Sequence, residues 1–215
     1  LLMSSMIYAY AEHKSCQIKL VNDGDDCVVF LSKKDLHRFM DGLSGWFRDM
    51  GFNMTIEPPA FELEKIAFCQ SHPIFIDGRY VMVRDPRKVL SKDAISLKPI
   101  NNPKLCTRWL AAVGAGGLSM TGGVPVLQEF YQACLRSSKG ARALNDFDMA
   151  RRLILGEGMA LKYTIPSPET RYSFYLAFDI DPACQIAIEG VYRNLTIDSD
   201  EVKETLYLDL PMESI

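Results

Sequence analysis

Apolar and polar residues follow one another in several distinct rhythms along the chain. In "LLMSSMIYAYAEH", Leu2, Met3, Met6, Ile7 and Tyr10 repeat at helical spacing with no capping residue before them. Residues 16–21 and 27–31 are short runs rich in Ile and Val that enclose a Gly/Asp/Asn cluster, which predicts a β-hairpin. Leu36, Phe39, Met40, Leu43, Phe47 and Met50 then follow at i, i+3, i+4 spacing. Ser32 and Asp35 match a capping pair and Gly51 a C-cap, so one amphipathic helix is expected over 33–50.

Next the pattern predicts an extended stretch over 52–56, a turn at Glu57-Pro58-Pro59, and two strands over 65–70 and 79–84 with the Asp77-Gly78 turn between them. Beyond Asp85-Pro86 it turns mainly helical. Helices are expected at about 103–114, 124–137 and 146–155, then at 168–178 with Ser167 as N-cap and 182–195 with Asp181 as N-cap. The fold class expected is α+β, with a domain boundary near residues 85–95. From Thr196 onward six acids stand against one lysine, the composition of a solvated tail.

Composition narrows the function classes. With 215 residues and 48% hydrophobic content the chain can bury a sizeable core, as one large domain or two small ones. A net charge of −3 excludes a generally basic nucleic-acid-binding protein. Charge is uneven, however: residues 84–108 hold seven Lys or Arg against two Asp, a patch suited to phosphates, in which Arg84, Arg87, Lys88 and Lys92 are the preferred contacts. Six scattered cysteines form no C-x-x-C pair, so free thiols are expected rather than zinc or a disulfide framework. No apolar run reaches the roughly 18 residues of a membrane span. A helix that opens uncapped in mid-pattern is what a chain cut from a longer one would show.

The candidate chemistry lies in "NDGDDC", Asn22 to Cys27. Asn, Asp and Gly are what tight turns prefer, and that explains most Asp-Gly pairs between strands. It leaves Asp26 unexplained, since consecutive acids at a hairpin tip repel one another and call for a cation. An EF-hand loop is excluded, because Cys27 and Val28 occupy places where a ligand and a glycine would fall. A magnesium site for phosphoryl transfer remains, with carboxylates held rigidly at a strand end.

"GDD" on a hairpin between two helices looks like the signature of viral RNA-dependent RNA polymerases. The surrounding "MGFNMTIEPPAFELEKIAFCQSHPIFIDGRYVMVRDPRKVLSKD", "LSMTGGVPVLQEFY" and "RYSFYLAFDIDPACQIAIEGVY" resemble the tombusvirus and carmovirus-like enzymes of positive-strand RNA viruses over about residues 1–195. The resemblance implies part of a right-hand polymerase: residues 1–90 as the C-terminal part of the palm, with antiparallel hairpins and helices, 91–195 as a mainly helical thumb, and 196–215 as an acidic tail. It implies template-directed transfer of nucleotides from NTPs to an RNA 3′-hydroxyl. Asp25 and Asp26 would be the catalytic magnesium ligands, with Mn2+ as an alternative ion, and Gly24 would let the backbone approach the RNA end. "FCQ", which includes Gln70, resembles the element that grips the primer, although the residues alone read as an ordinary hairpin. No lysine general acid is assigned, since Pro58 and Pro59 stand where one is expected and Lys65 is several residues away.

The partners implied are template and nascent RNA, NTPs, another viral replication protein and host factors, at membrane-associated replication complexes in the host cytoplasm. The family's upstream metal-binding aspartate and its ribose-selecting element are not in this sequence, so the 215 residues alone are expected to be inactive. Two alternatives stand beside the polymerase: a non-catalytic RNA-binding module derived from one, and a reverse transcriptase. "TGGVP" (121–125) reads as a helix-linking turn before it reads as a phosphate cradle. Trp46, Trp109 and the aromatics at 172–178 read as core.

Overall fold

A computed structural model describes residues 1–96, 102–144 and 162–198. They are a mixture of helices and two small antiparallel hairpins, so the α+β expectation holds at that level. The chain divides into two compact units, Leu1–Pro73 and Ile74–Ile215.

In the first unit, helix α1 (Leu2–His13) buries Met6, Ile7, Tyr10 and Ala11 along one stripe. Ser15, at φ 52°, closes it, and the Cys16 N–H donates back to the Ala11 carbonyl at 2.8 Å. Strands β1 (Ile18–Asp23) and β2 (Asp26–Leu31) pair in register from Ile18 with Leu31 to Asp23 with Asp26. Ile18, Leu20, Cys27, Val29 and Leu31 pack on the core formed by α1, Phe39, Leu43 and Phe47. That register leaves only Gly24 and Asp25 in the loop. Gly24 has φ +67° at the first loop position, as a two-residue hairpin turn of the II′ kind needs.

The single helix expected over 33–50 is broken. A 3-10 turn (Lys33–Asp35) leads into α2 (Leu36–Met40), and α3 (Leu43–Asp49) follows after a break at Asp41-Gly42. Ser32 makes no side-chain capping bond. The break has a tertiary cause: the Tyr10 hydroxyl donates to the Asp41 carbonyl at 2.5 Å, and Lys14 pairs with the Asp41 carboxylate at 3.3 Å. Gly42 takes φ +80° to make the bend. The apolar stripe is kept across the break, since Phe39, Leu43 and Phe47 are all buried.

Residues 52–60 form no regular element, although Met54 and Ile56 pack on the same core. The strand expected over 65–70 is also displaced. A 3-10 turn (Leu63–Lys65) and a tight turn at Cys69-Gln70 occupy that stretch, and the strand β3 is Ser71–Ile76. Cys69 and Gln70 have φ of 50° and 60°, left-handed values that no strand residue adopts. Strand β4 (Arg79–Arg84) pairs with β3 across the Asp77-Gly78 turn, where both φ are positive.

In the second unit Ile74, Ile76 and Val83 join the helical core, so the division falls after Pro73, ahead of the change in composition at 85–95. Helix α4 (Pro86–Asp93) was not expected, and its signal was plain: Asp85 accepts from the Arg87 N–H at 2.8 Å with Pro86 in the first turn. Helix α5 (Pro103–Thr121) runs past the expected end at 114, and α6 (Leu127–Ser137) starts later than 124. They pack closely where Gly114 meets the Tyr131 carbonyl and the Leu135 backbone. Helices α7 (Pro168–Phe178) and α8 (Pro182–Asn194) are capped by Ser167 and Asp181 as expected. The expected helix at 146–155 and the tail from 199 lie outside the described residues.

Buried charge anchors this unit. Glu189, fully buried, receives a two-pronged pair from Arg171 at 2.9 Å and 2.9 Å and accepts the Val126 N–H at 3.1 Å. Val126 has φ 67°, a strained value for a β-branched residue, and this bond helps hold it.

Candidate functional site

The tip of the β1–β2 hairpin gathers three carboxylates by backbone geometry. Asp23 and Asp26 are direct cross-strand partners, so their side chains leave the same face of the hairpin, opposite to the core-facing Ile18 and Leu20. Asp25 lies in the loop and is exposed, and among the described residues it makes no hydrogen bond or ion pair. Asp25 and Asp26 therefore differ in placement, as neighbours around a turn must.

The tip is braced from two sides. The Asn22 amide donates to the carbonyls of Gly24 and Asp26, each at 3.1 Å, and its oxygen accepts from the Ser4 hydroxyl on α1 at 3.1 Å. On the other side the Cys69 N–H donates to Asp26 Oδ2 at 2.6 Å, and the Cys69 thiol lies 3.6 Å from Asp23 Oδ2. Phe68 and Ser71 exchange both backbone hydrogen bonds at 2.9 Å, so Cys69 and Gln70 are the two central residues of a tight turn. Two non-glycine residues held left-handed cost roughly 1–2 kcal/mol each, strain of the kind that collects at functional sites.

The local charge is felt by both nearby thiols. Desolvation, then the Asp23 and Asp26 carboxylates, push the Cys69 thiol up from its ordinary value. Burial and the Asp26 charge do the same to Cys27. Both thiols are thereby kept protonated, and Cys69 stands as a neutral donor beside the acids.

Carboxylate oxygens are the hard donors that magnesium or manganese prefers. Asp25 is open, and Asp26 keeps Oδ1 after Oδ2 is taken by Cys69. The donor set fits such an ion in kind. Among the described residues no group of three or more His, Cys, Asp or Glu is arranged to hold a metal by itself.

The other expected residues lie elsewhere. Gln70 follows Cys69 in the bracing turn. Arg84 and the Lys-bearing helix belong to the second unit. There Arg84 pairs with Asp93 at 3.7 Å, and Arg87 donates to the Phe178 carbonyl at 3.0 Å, so both have structural work. Lys88 and Lys92 are exposed one turn apart on α4. The Gly-Gly turn after α5 offers little to a phosphate: the Gly123 N–H is held by Gln128 Oε1 at 2.8 Å. Trp46 and Trp109 pack on the two cores, whereas Tyr172 and Tyr175 are exposed on α7, with Phe174 and Phe178 buried. Asp23, Asn22 and Cys69 were missed as site residues, although a two-residue loop by itself places Asp23 opposite Asp26.

The family model described as viral RNA dependent RNA polymerase matches residues 1–200. The chain is 41% identical to the RNA-directed RNA polymerase of oat chlorotic stunt virus (isolate United Kingdom), over 94% of this chain and 29% of that protein. It is 39% identical to that of tobacco necrosis virus (strain A), over 95% of this chain and 29% of the relative. With the polymerase of carnation mottle virus it shares 40% identity over 85% of this chain and 24% of the relative. The chain thus spans less than a third of the length of these relatives. A GDD hairpin braced at its tip, inside a match that runs through both units, assigns this chain to the viral RNA-dependent RNA polymerase family.

Proposed function

We propose that this chain forms the GDD-bearing part of a viral RNA-directed RNA polymerase, which transfers nucleotides from NTPs to the 3′-hydroxyl of a growing RNA on an RNA template. The observation that carries the reading is the pair Asp25 and Asp26 at a hairpin tip fixed by Asn22 and Cys69. Family membership sets aside the reverse-transcriptase alternative.

Asp25 and Asp26 Oδ1 are the oxygens that would hold magnesium, with Mn2+ as the alternative ion. When bound, the ion supplies positive charge against the reacting phosphates and makes the RNA hydroxyl easier to deprotonate. The chain's own contribution is orientation. Gly24 leaves the tip without a side chain where RNA approaches, and nothing lies within 4 Å of where its Cβ would stand. Positioning and preset charge are the main catalytic terms in phosphoryl transfer. The further carboxylate that a two-metal centre needs is supplied, on this reading, by the rest of such a polymerase.

Residues 1–90 act as palm, with Gln70 in the primer-gripping turn, and 91–195 as thumb. Arg84, Arg87, Lys88 and Lys92 meet phosphates of RNA or NTP through the positive excess of their segment. Another viral replication protein and host factors are further partners, at membrane-associated complexes in the host cytoplasm. Among the described residues no helix is long and apolar enough to cross a membrane.

Asp25→Ala in a polymerase carrying this segment tests the reading. RNA synthesis should fall by roughly a thousandfold with RNA binding retained. Unchanged synthesis would instead support the non-catalytic RNA-binding module. The 215-residue chain alone should incorporate no labelled nucleotide on a template.

A further inference from the structure

Cys69 lies more than forty positions from the GDD sequence, yet it contacts two acids of the hairpin tip, Asp26 of that sequence and Asp23 just before it. The N–H reaches Asp26 Oδ2 at 2.6 Å, a short and charge-assisted bond, and the thiol lies 3.6 Å from Asp23 Oδ2. Such an approach needs the backbone to turn its amide outward. The turn achieves it with left-handed Cys69 and Gln70, φ 50° and 60°, locked by the reciprocal Phe68 and Ser71 bonds. Asn or Gly would take those two positions with less strain. The strain thus sits where Cys69 meets the carboxylates.

We propose that Cys69 is a positioning residue for the carboxylates of the hairpin tip. Its N–H fixes Asp26 through Oδ2, so that a divalent cation is met by Asp25 and by Oδ1 of Asp26, while the thiol only lies beside Asp23. The occupied Oδ2 makes Asp26 a one-oxygen ligand and prevents it from swinging into a two-oxygen grip. Residues that orient a metal's ligands in this way change metal affinity roughly 10–100-fold when lost. The inference rests on the metal-centre reading given above.

The test is a magnesium titration of a polymerase carrying this segment, read both as RNA synthesis, which separates the Mg2+ midpoint from the maximal rate, and as the Mg2+-dependent rise in melting temperature without NTP or RNA. Cys69→Gly keeps the N–H and the left-handed turn, whereas the β-branched Cys69→Val disfavours that backbone. The midpoint should rise roughly tenfold in Cys69→Val and stay within about twofold of the unchanged protein in Cys69→Gly. Equal midpoints in the two variants would overturn the proposal.

Should Cys69→Val fail to fold, a reversible label decides. In a Cys184→Ser background, a methanethiosulfonate reagent gives a mixed disulfide at the Cys69 sulfur with loss of methanesulfinate. A raised midpoint, restored by dithiothreitol and absent in Cys69→Gly, supports the role, and an unmoved midpoint overturns it. Asp25→Ala is run alongside: if it still synthesises RNA, the metal-centre reading itself falls, whatever Cys69 does.

Discussion

Asp23 and Asp26 face one another as the last cross-strand pair of the β1–β2 hairpin, with only Gly24 and Asp25 between them. Like charges so placed destabilise a hairpin. Asp23→Asn should therefore raise stability by about 0.5 kcal/mol in metal-free buffer, read as a denaturant midpoint. Added Mg2+ should shrink the gain, because the cation offsets the same repulsion. A gain of equal size with and without Mg2+ would show that the tip takes no cation.

Asn22 fastens the tip to α1 through Ser4 and to its own turn through the Gly24 and Asp26 carbonyls. Asn22→Ala removes all three bonds, and should lower stability by about 1–2 kcal/mol. Asn22→Asp keeps only the acceptor toward Ser4 and should do no better. An unchanged denaturation midpoint in Asn22→Ala would show that the brace carries no stability.

Glu189 holds Arg171 in a mostly buried pair and also the strained Val126 amide. Glu189→Ala leaves Arg171 without its main partner, and should cost about 3–5 kcal/mol. Thermal unfolding of the second unit would read this, and a small loss would mean that Arg171 turns outward to water.

Gly114 and the α6 backbone approach so closely that an added Cβ would lie 2.9 Å from both the Leu135 nitrogen and the Tyr131 carbonyl oxygen. Backbone does not step aside cheaply. Gly114→Ala should destabilise by about 1–3 kcal/mol, despite the better helix propensity of alanine. A stabilised variant would refute the contact.

Hydrogen bonding from Cys184, thiol and backbone N–H, and from the Ala183 N–H holds the Asp181 carboxyl below the ordinary value of 3.8. A carboxyl lowered in the folded state stabilises fully above its unfolded value, and that stability is lost as pH falls through the folded one. The melting temperature should accordingly fall as the pH drops below 3.8, and Asp181→Asn should flatten that slope. Identical slopes would remove Asp181 as a cause.

Much of the local architecture was legible. Ser167, Asp181 and their following prolines mark two helices that begin where expected. The GDD hairpin was placed to within two residues at each strand boundary. The two errors in the first unit share one cause, a contact from a distant residue, whereas α4 was missed despite a local signal. Residues 33–50 have an unbroken helical stripe, but Tyr10 and Lys14 on α1 bind Asp41 and bend the chain at Gly42. Residues 65–70 look extended by composition, but the Cys69-Gln70 turn on Asp26 denies them a strand.

The sequence by itself determined the family, the acidic turn and the caps, because those depend on residue identity and on spacing within a few positions. Only the tertiary structure decided which acids share a face, which oxygen of Asp26 remains open, and that Cys69 closes the tip from more than forty residues away. Hydrogen bonds and charge act through distance in space, and a distant residue's left-handed turn leaves no periodic trace in the chain that it braces.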